Sequence, residues 1–437
     1  MSRPYLNDMK NQKPLTAVML GAGNRGLHAY GPYAVEHSSD IQFVAVAEPD
    51  PERRYLFAQA HDIPPEMQFE SWEDLLAQGQ IADVAFNMTQ DGMHYSSTVP
   101  FLEAGYDCLL EKPMTNSLEE TVHLVRLAEE KGQLLQICHV LRYTPFFSKL
   151  NEIIASGRLG DLINVDHREN VVYFHMAHSF VRGNWRNLAG SSPMILAKCC
   201  HDLDILYWNL GEPVEKLQSF GSLLHYRAEN KPSNAADRCL DPEGTVCQAA
   251  ENCPYDVRKI YLDPDNHGWP VNTITTNTSM EARLEALKHG PYGRCVYACD
   301  NDVVDNQTVN LQFPSGPTVT MTMHGHSHRE SRTMRYEGTR ATLRGLFEYG
   351  QGRIEIHDHL TNEMEVIEVE PGRGGHGGGD SKIVKSFVDA VRGEAPPLTT
   401  ARESLESHLM AFAAEESRLT STVINMDDYR KKHSPTI

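Results

Sequence analysis

Leu15-Thr16-Ala17-Val18-Met19-Leu20-Gly21-Ala22-Gly23-Asn24-Arg25-Gly26 decides how the rest of the sequence is read. A short apolar run enters a glycine triplet spaced Gly-x-Gly-x-x-Gly, and the residues after it suit a helix through about Glu36. Such a run reads as a buried strand. Each glycine has a physical reason: Gly21 permits a tight turn, Gly23 lets a ligand approach the backbone, and Gly26 lets helix and strand pack closely. Backbone N–H groups of the loop, with Asn24 and Arg25 in it, then face a pyrophosphate at the helix start. A second apolar run, Ile41–Ala47, ends at Glu48. A carboxylate there accepts hydrogen bonds from the adenosine ribose and repels a 2′-phosphate, which favours NAD over NADP, although Arg53 and Arg54 temper this.

Outward from that stretch, strand and helix alternate. Helical segments near Pro51–His61 and Trp72–Ala77 precede a strand at Val84–Met88; a helix at Tyr95–Ala104 precedes a strand at Asp107–Leu110. Ser117-x-x-Glu120 is a capping box for the next helix, and Leu134–Val140 is a further strand. Spacing of this kind predicts a doubly wound parallel sheet, a Rossmann domain over residues 14–143, after a disordered leader at 1–13. From residue 144 to 437 the pattern changes to helices at about 146–156 and 200–210 and several β-rich stretches, so a second α/β domain with an open, mainly antiparallel sheet is expected. Within it, 227–300 is polar and reads as an elaborated insertion. Gly374–Asp380 is a glycine-rich loop, with Asp380 as the expected N-cap of a helix over Ser381–Arg392; another helix spans Ala401–Ser417.

Composition narrows the classes. The chain has 437 residues, 40 basic against 59 acidic, for a net charge of −19. That balance argues against nucleic acid or an anionic membrane as partner. No apolar run approaches the roughly 20 residues of a membrane helix, and the N-terminus lacks a signal peptide's apolar core. A cytoplasmic protein with reduced thiols is expected, although there are nine cysteines, with Cys239, Cys247 and Cys253 grouped in the insertion. Their spacing lacks the tight pairs of zinc knuckles, and no metal is expected there or at His324, His326 and His328, which alternate at a strand end.

Glu111-Lys112-Pro113 closes a strand at the sheet edge where ligands bind in doubly wound folds. A lysine there can hydrogen-bond or exchange protons with a substrate hydroxyl. The glycine loop, Glu48, Thr89-x-x-x-x-His94, Ala104-Gly105-Tyr106 and Glu111-Lys112-Pro113 occur in order. Together they resemble the Gfo/Idh/MocA family of sugar and polyol oxidoreductases over nearly all of the first 145 residues. The likeness continues more loosely through Gly157-x-Leu159-Gly160, Trp185-Arg186 and Cys200–Gly211. The resemblance implies NAD as cofactor, bound by Gly21, Gly23, Asn24, Arg25, Gly26, Glu48, Thr89, His94, Glu111 and Lys112. It also implies a carbohydrate or polyol substrate, Lys112 in the active site, and a homo-oligomer, dimer or tetramer, built through the second domain.

Lys198, His201 and Asp202 share a helix face by spacing, with Asp204 following. An imidazole beside a carboxylate suits a general base near neutral pH. The family's usual Asp-x-Gly-x-His-x-x-Asp is altered here: His201 and Asp204 match, but Ala197 and Cys199 stand at the first two landmarks and Lys198 is an extra cation. The base is therefore His201 supported by Asp202 or Asp204, or a lysine. Arg142, Tyr173, Trp185, Arg186 and Asp204 are candidate substrate contacts. The leading expectation is hydride transfer from a sugar, inositol or related polyol, Lys112 polarising the oxygen and His201 taking the proton. A redox-neutral glycosidase that oxidises its sugar transiently, and a non-catalytic NAD-sensing regulator, are the alternatives.

Overall fold

Six parallel strands make the first sheet: β1 Leu15–Leu20, β2 Ile41–Ala47, β3 Gln68–Phe69, β4 Val84–Asn87, β5 Asp107–Leu110 and β6 Leu135–Ile137, in the order β3-β2-β1-β4-β5-β6. The computed structural model describes residues 13–348, 351–372 and 375–434. Of the expected leader only Lys13 lies among them, and Gly374 lies outside them. Strand order reverses between β1 and β4, and the glycine loop leaves the carboxyl end of β1 at that switch point. Ser117 accepts from the Glu120 N–H and caps helix Leu118–Lys131, which buries Val122, Leu124 and Val125 and stops at Gly132 with φ 67°.

The described residues up to Ser148 form one compact unit together with Pro371–His408; Lys149–Glu370 and Leu409–Lys432 form the other. The first unit is thus discontinuous in sequence. The reason is apolar: Ile383, Val384, Phe387 and Val388, from the helix after the glycine-rich loop, complete the buried cluster of Met19, Val46 and Phe86. Asp380 does not cap that helix as expected. His376, Gly377 and Gly378 carry positive φ, and the Asp380 side chain turns to Arg25 and His376 instead.

The second unit holds a nine-stranded sheet: β7 Leu162–Val172, β8 Lys216–Ser222, β9 Asn306–Gln312, β10 Thr318–Ser327, β11 Ser331–Gly338, β12 Ala341–Glu348, β13 Gln351–Asp358, β14 Met364–Val369 and β15 Ile424–Asn425. Its order is β14-β13-β12-β11-β7-β10-β9-β8-β15, antiparallel except for β7 beside β10. Along β7, Val165, His167 and Glu169 alternate inward; on neighbouring β11, Arg332, Met334 and Tyr336 do the same. The insertion is better ordered than its composition suggests. Short helices including Val257–Tyr261 and Met280–His289 close over a small core of Cys239, Leu240, Val257, Tyr261 and Leu287. No helix among the described residues is long and apolar enough to cross a membrane.

Candidate functional site

In the first unit the glycine loop has the geometry its spacing demands. Gly21 sits at φ +85°, where a Cβ would lie 2.8 Å from the Met88 carbonyl oxygen, and a Cβ on Gly26 would collide with the Gly21 carbonyl. Around Gly23 there is open space to 4 Å, and Asn24 beside it is exposed, so the loop backbone stays accessible to a ligand. The helix that follows differs from expectation: Arg25–Tyr30 is π-helical before an α-helix at Gly31–Glu36. The wider winding brings Arg25 and Tyr30 together, Nη2 donating to the phenol oxygen at 2.6 Å.

Glu48 is buried at the end of β2. One carboxylate oxygen accepts from the Ala22 N–H at 2.7 Å and the other from Asp50 N–H at 3.0 Å. Each oxygen keeps a further lone pair, so the same carboxylate can accept ribose hydroxyls while holding the loop. Arg54, one of the two cations expected to weaken NAD preference, is turned to the Glu48 main-chain oxygen.

Arg25 ties the loop to the lysine motif. Its Nε meets Glu111 at 2.5 Å and its Nη2 meets Asp380 at 3.0 Å. Glu111 also accepts from Tyr30 Oη at 2.7 Å and from the Lys112 N–H at 2.9 Å. Burial opposes the charge on Glu111, but Arg25 and Lys112 outweigh it and hold the carboxyl below its ordinary value. His94 is fully buried: its two ring nitrogens lie 2.7 Å from the Pro113 and 3.1 Å from the Thr89 carbonyl oxygens, so it braces the two loops on either side. Thr89 is held by Asn87 at 2.7 Å. Two further partners stand here. His408 accepts from the Met114 N–H at 2.9 Å just past the lysine motif, and buried His139 stands near Lys112 and Arg142. Burial, then those cations, press the His139 imidazole well below its ordinary value. Arg142 is itself buried and donates to the Leu398 carbonyl at 3.2 Å.

In the second unit Lys198, His201, Asp202 and Asp204 lie at and just before helix Cys200–Leu210, all largely buried. Their partners differ from those expected. Asp202 accepts from His167 and Arg332, both at 2.8 Å, so its charge is spent on the sheet. Burial opposes that charge, yet Arg332 and His167 hold Asp202 well below the ordinary carboxylate range. Lys198 is clasped by Glu169 at 3.2 Å and Glu330 at 2.8 Å; against burial, those carboxylates raise its pKa, so it is a cation and a hydrogen-bond donor rather than a base. Glu169, paired also with Arg332 at 2.6 Å, has no partner of hydrogen-bond geometry, and burial pushes it up to about 7. Glu169, Glu330, Arg332 and His167 were missed by sequence reasoning. For His167, Glu169 and Arg332 the available signal was their register, polar residues at the inward positions of strands otherwise apolar there, whereas Glu330 lies in the turn before β11.

The remaining candidates are placed as follows. Tyr173 packs edge-on to Tyr255, Trp185 is exposed beside Phe180, and Arg186 pairs with Asp300 at 2.8 Å. His324 and His326 part company, the first bonding Asn170 and the second stacking on Tyr226 near Asp305. All nine thiols are free. Cys239, Cys247, Cys253 and Cys295 line one small cavity, but no three His, Cys, Asp or Glu side chains among the described residues are grouped to hold a metal.

Comparison with known proteins finds two family models that match along the chain. Residues 15–139 match the NAD-binding Rossmann fold of the Gfo/Idh/MocA oxidoreductases, and 151–426 match their C-terminal alpha/beta domain. YteT of Bacillus subtilis (strain 168) is 21% identical over 390 residues, 85% of this chain and 87% of YteT. Trans-1,2-dihydrobenzene-1,2-diol dehydrogenase of Bos taurus is 29% identical over 185 residues, 42% of this chain and 52% of that enzyme. The fold is shared with an inositol dehydrogenase homolog from Azotobacter vinelandii solved with NADH and myo-inositol: TM-score 0.65, 16% identity, 94% of this chain and 98% of that one. With both domains matched, the chain belongs to the Gfo/Idh/MocA family and is an oxidoreductase with an NAD-binding Rossmann domain.

Proposed function

We propose that the protein oxidises a CH–OH group of a sugar, inositol or related polyol, using NAD in preference to NADP. The observation that carries this reading is Lys112 at the carboxyl end of β5, its N–H fixed by the Glu111 carboxylate that also holds Arg25 of the glycine loop. The cradle fits the cofactor: open backbone at Gly23, and at Glu48 a carboxylate with lone pairs to spare. Gly21, Gly23, Asn24, Arg25, Gly26 and Glu48 hold NAD, with Thr89 and His94 shaping the adjoining loop. Bound NAD supplies the hydride acceptor.

Lys112 polarises the substrate oxygen. His201 is the base assigned to the hydroxyl proton, since Asp202 is committed to Arg332 and Lys198 is held as a cation. The protein works in the cytoplasm, which suits nine free thiols, and assembles as a dimer or tetramer through the second sheet, where Ile163, Phe220 and Leu346 are exposed. The test is a panel of cyclitols and sugars with NAD+, following reduced nicotinamide by absorbance and sugar release by chromatography. Net NADH formation supports the dehydrogenase. Release of sugar from a glycoside without net NADH would replace it with the redox-neutral glycosidase.

A further inference from the structure

Trp269 lies in the insertion, 41% exposed, yet its ring is seated against the second unit's main body. It meets His175 at 4.8 Å between ring centroids, His178 at 5.4 Å and Phe174 at 6.0 Å. His175 bonds Glu330 at 3.0 Å, and Glu330 bonds Lys198 at 2.8 Å. These three polar side chains remain 14–22% exposed, and His175 carries the row up to the indole. His175 also meets Phe180, at 5.9 Å, and Phe180 meets Trp185, which is 36% exposed, at 6.2 Å. An exposed indole next to a row of donors and acceptors matches a ring with an apolar C–H face and a rim of hydroxyls.

Charge selects among such rings. Around this row the cations Lys198 and Arg332 are both engaged, by Glu169, Glu330 and Asp202, so neither is left over for an acidic ring. Arg186, the arginine best placed in sequence to fork onto an acid, is occupied by Asp300. We propose that Trp269 is a stacking wall of the substrate site, through which the insertion selects an uncharged cyclic polyol, a cyclitol or neutral pyranose, over a sugar acid or sugar phosphate. This rests on the polyol reading above and names its substrate class and a specificity residue.

Binding of myo-inositol, glucose, galactose, glucuronate and glucose 6-phosphate to the full chain with NADH is measured by calorimetry, then KM and kcat for whichever ring is turned over. Wild type should bind a neutral ring. Trp269→Ala should weaken that binding and raise its KM about tenfold, as expected for a lost ring contact of roughly 1.4 kcal/mol, with NAD affinity unchanged. Trp269→Phe should recover most of the loss. If Trp269→Ala does not fold, Trp269→Leu, which fills the space without a π face, is read instead. A neutral ring bound equally by wild type and the aliphatic variant overturns the stacking wall and leaves the polyol reading standing. Preference for the charged sugars overturns the charge selection, and binding of no ring at all overturns both readings.

Discussion

Glu111 and Glu169 are both buried carboxylates gripped by an arginine, and burial decides the outcome in only one of them. Glu111 receives hydrogen bonds from Arg25, Tyr30 and the Lys112 N–H, and it stays ionised. Glu169 has two ion pairs but no hydrogen bond of good geometry, with Asp202 and Glu330 crowding it, and it is pushed up to about 7. The difference lies in hydrogen bonding and in neighbouring charge more than in depth. It separates a fixed scaffold, which holds a glycine loop and a lysine in register, from a cluster able to take up a proton near neutral pH.

The largest expected effect falls on the scaffold's product. Lys112→Ala should lower kcat by about 10²–10⁴-fold with NAD affinity little changed, read by steady-state kinetics and a separate NADH titration. Equal losses in both would make Lys112 a cofactor ligand only. Arg25→Ala takes the shared guanidinium from two buried carboxylates, leaving Glu111 with Tyr30 and Lys112 and Asp380 with His376. It should cost about 3 kcal/mol in denaturant unfolding, whereas a cost below about 1 kcal/mol would show that the carboxylates find water instead. Glu48→Ala should erode the preference for NAD over NADP by about tenfold in the ratio of kcat/KM values, since it removes a charge that repels the 2′-phosphate.

The last prediction tests the other carboxylate. Glu169 binds its proton more tightly folded than unfolded, so the stability it gives is fully present below its unfolded pKa and is lost as pH rises through about 7. Relative to Glu169→Gln, which stays neutral, wild type should lose at most about 1.4 kcal/mol per pH unit across that window. The groups facing it, Lys198, Arg332, Asp202 and Glu330, are common to both proteins. Parallel stability curves would mean that Glu169 is ionised throughout, like Glu111.

How much of this was legible follows the same divide. The parallel sheet, the glycine loop and Glu48 could be read because local patterns dictate them: an apolar run, residues that permit a turn, an acid at a strand end. Most strands of the second sheet were also visible as alternation, although β8, β12 and β15 were not singled out. Long-range pairing was hidden. Nothing near Asp380 points to Arg25, and nothing near Asp202 points to Arg332; such contacts depend on which strands become neighbours. The helix 375–391 joins the first unit for a similar reason, since Phe387 packs on Phe86 far back in the chain.

The most direct measurement uses a polyol that wild type oxidises, carrying deuterium on the reacting carbinol carbon. One deuterium on the nicotinamide of released NADH per polyol oxidised is the predicted result. Deuterium kept by or returned to the sugar, with no net NADH, would contradict it.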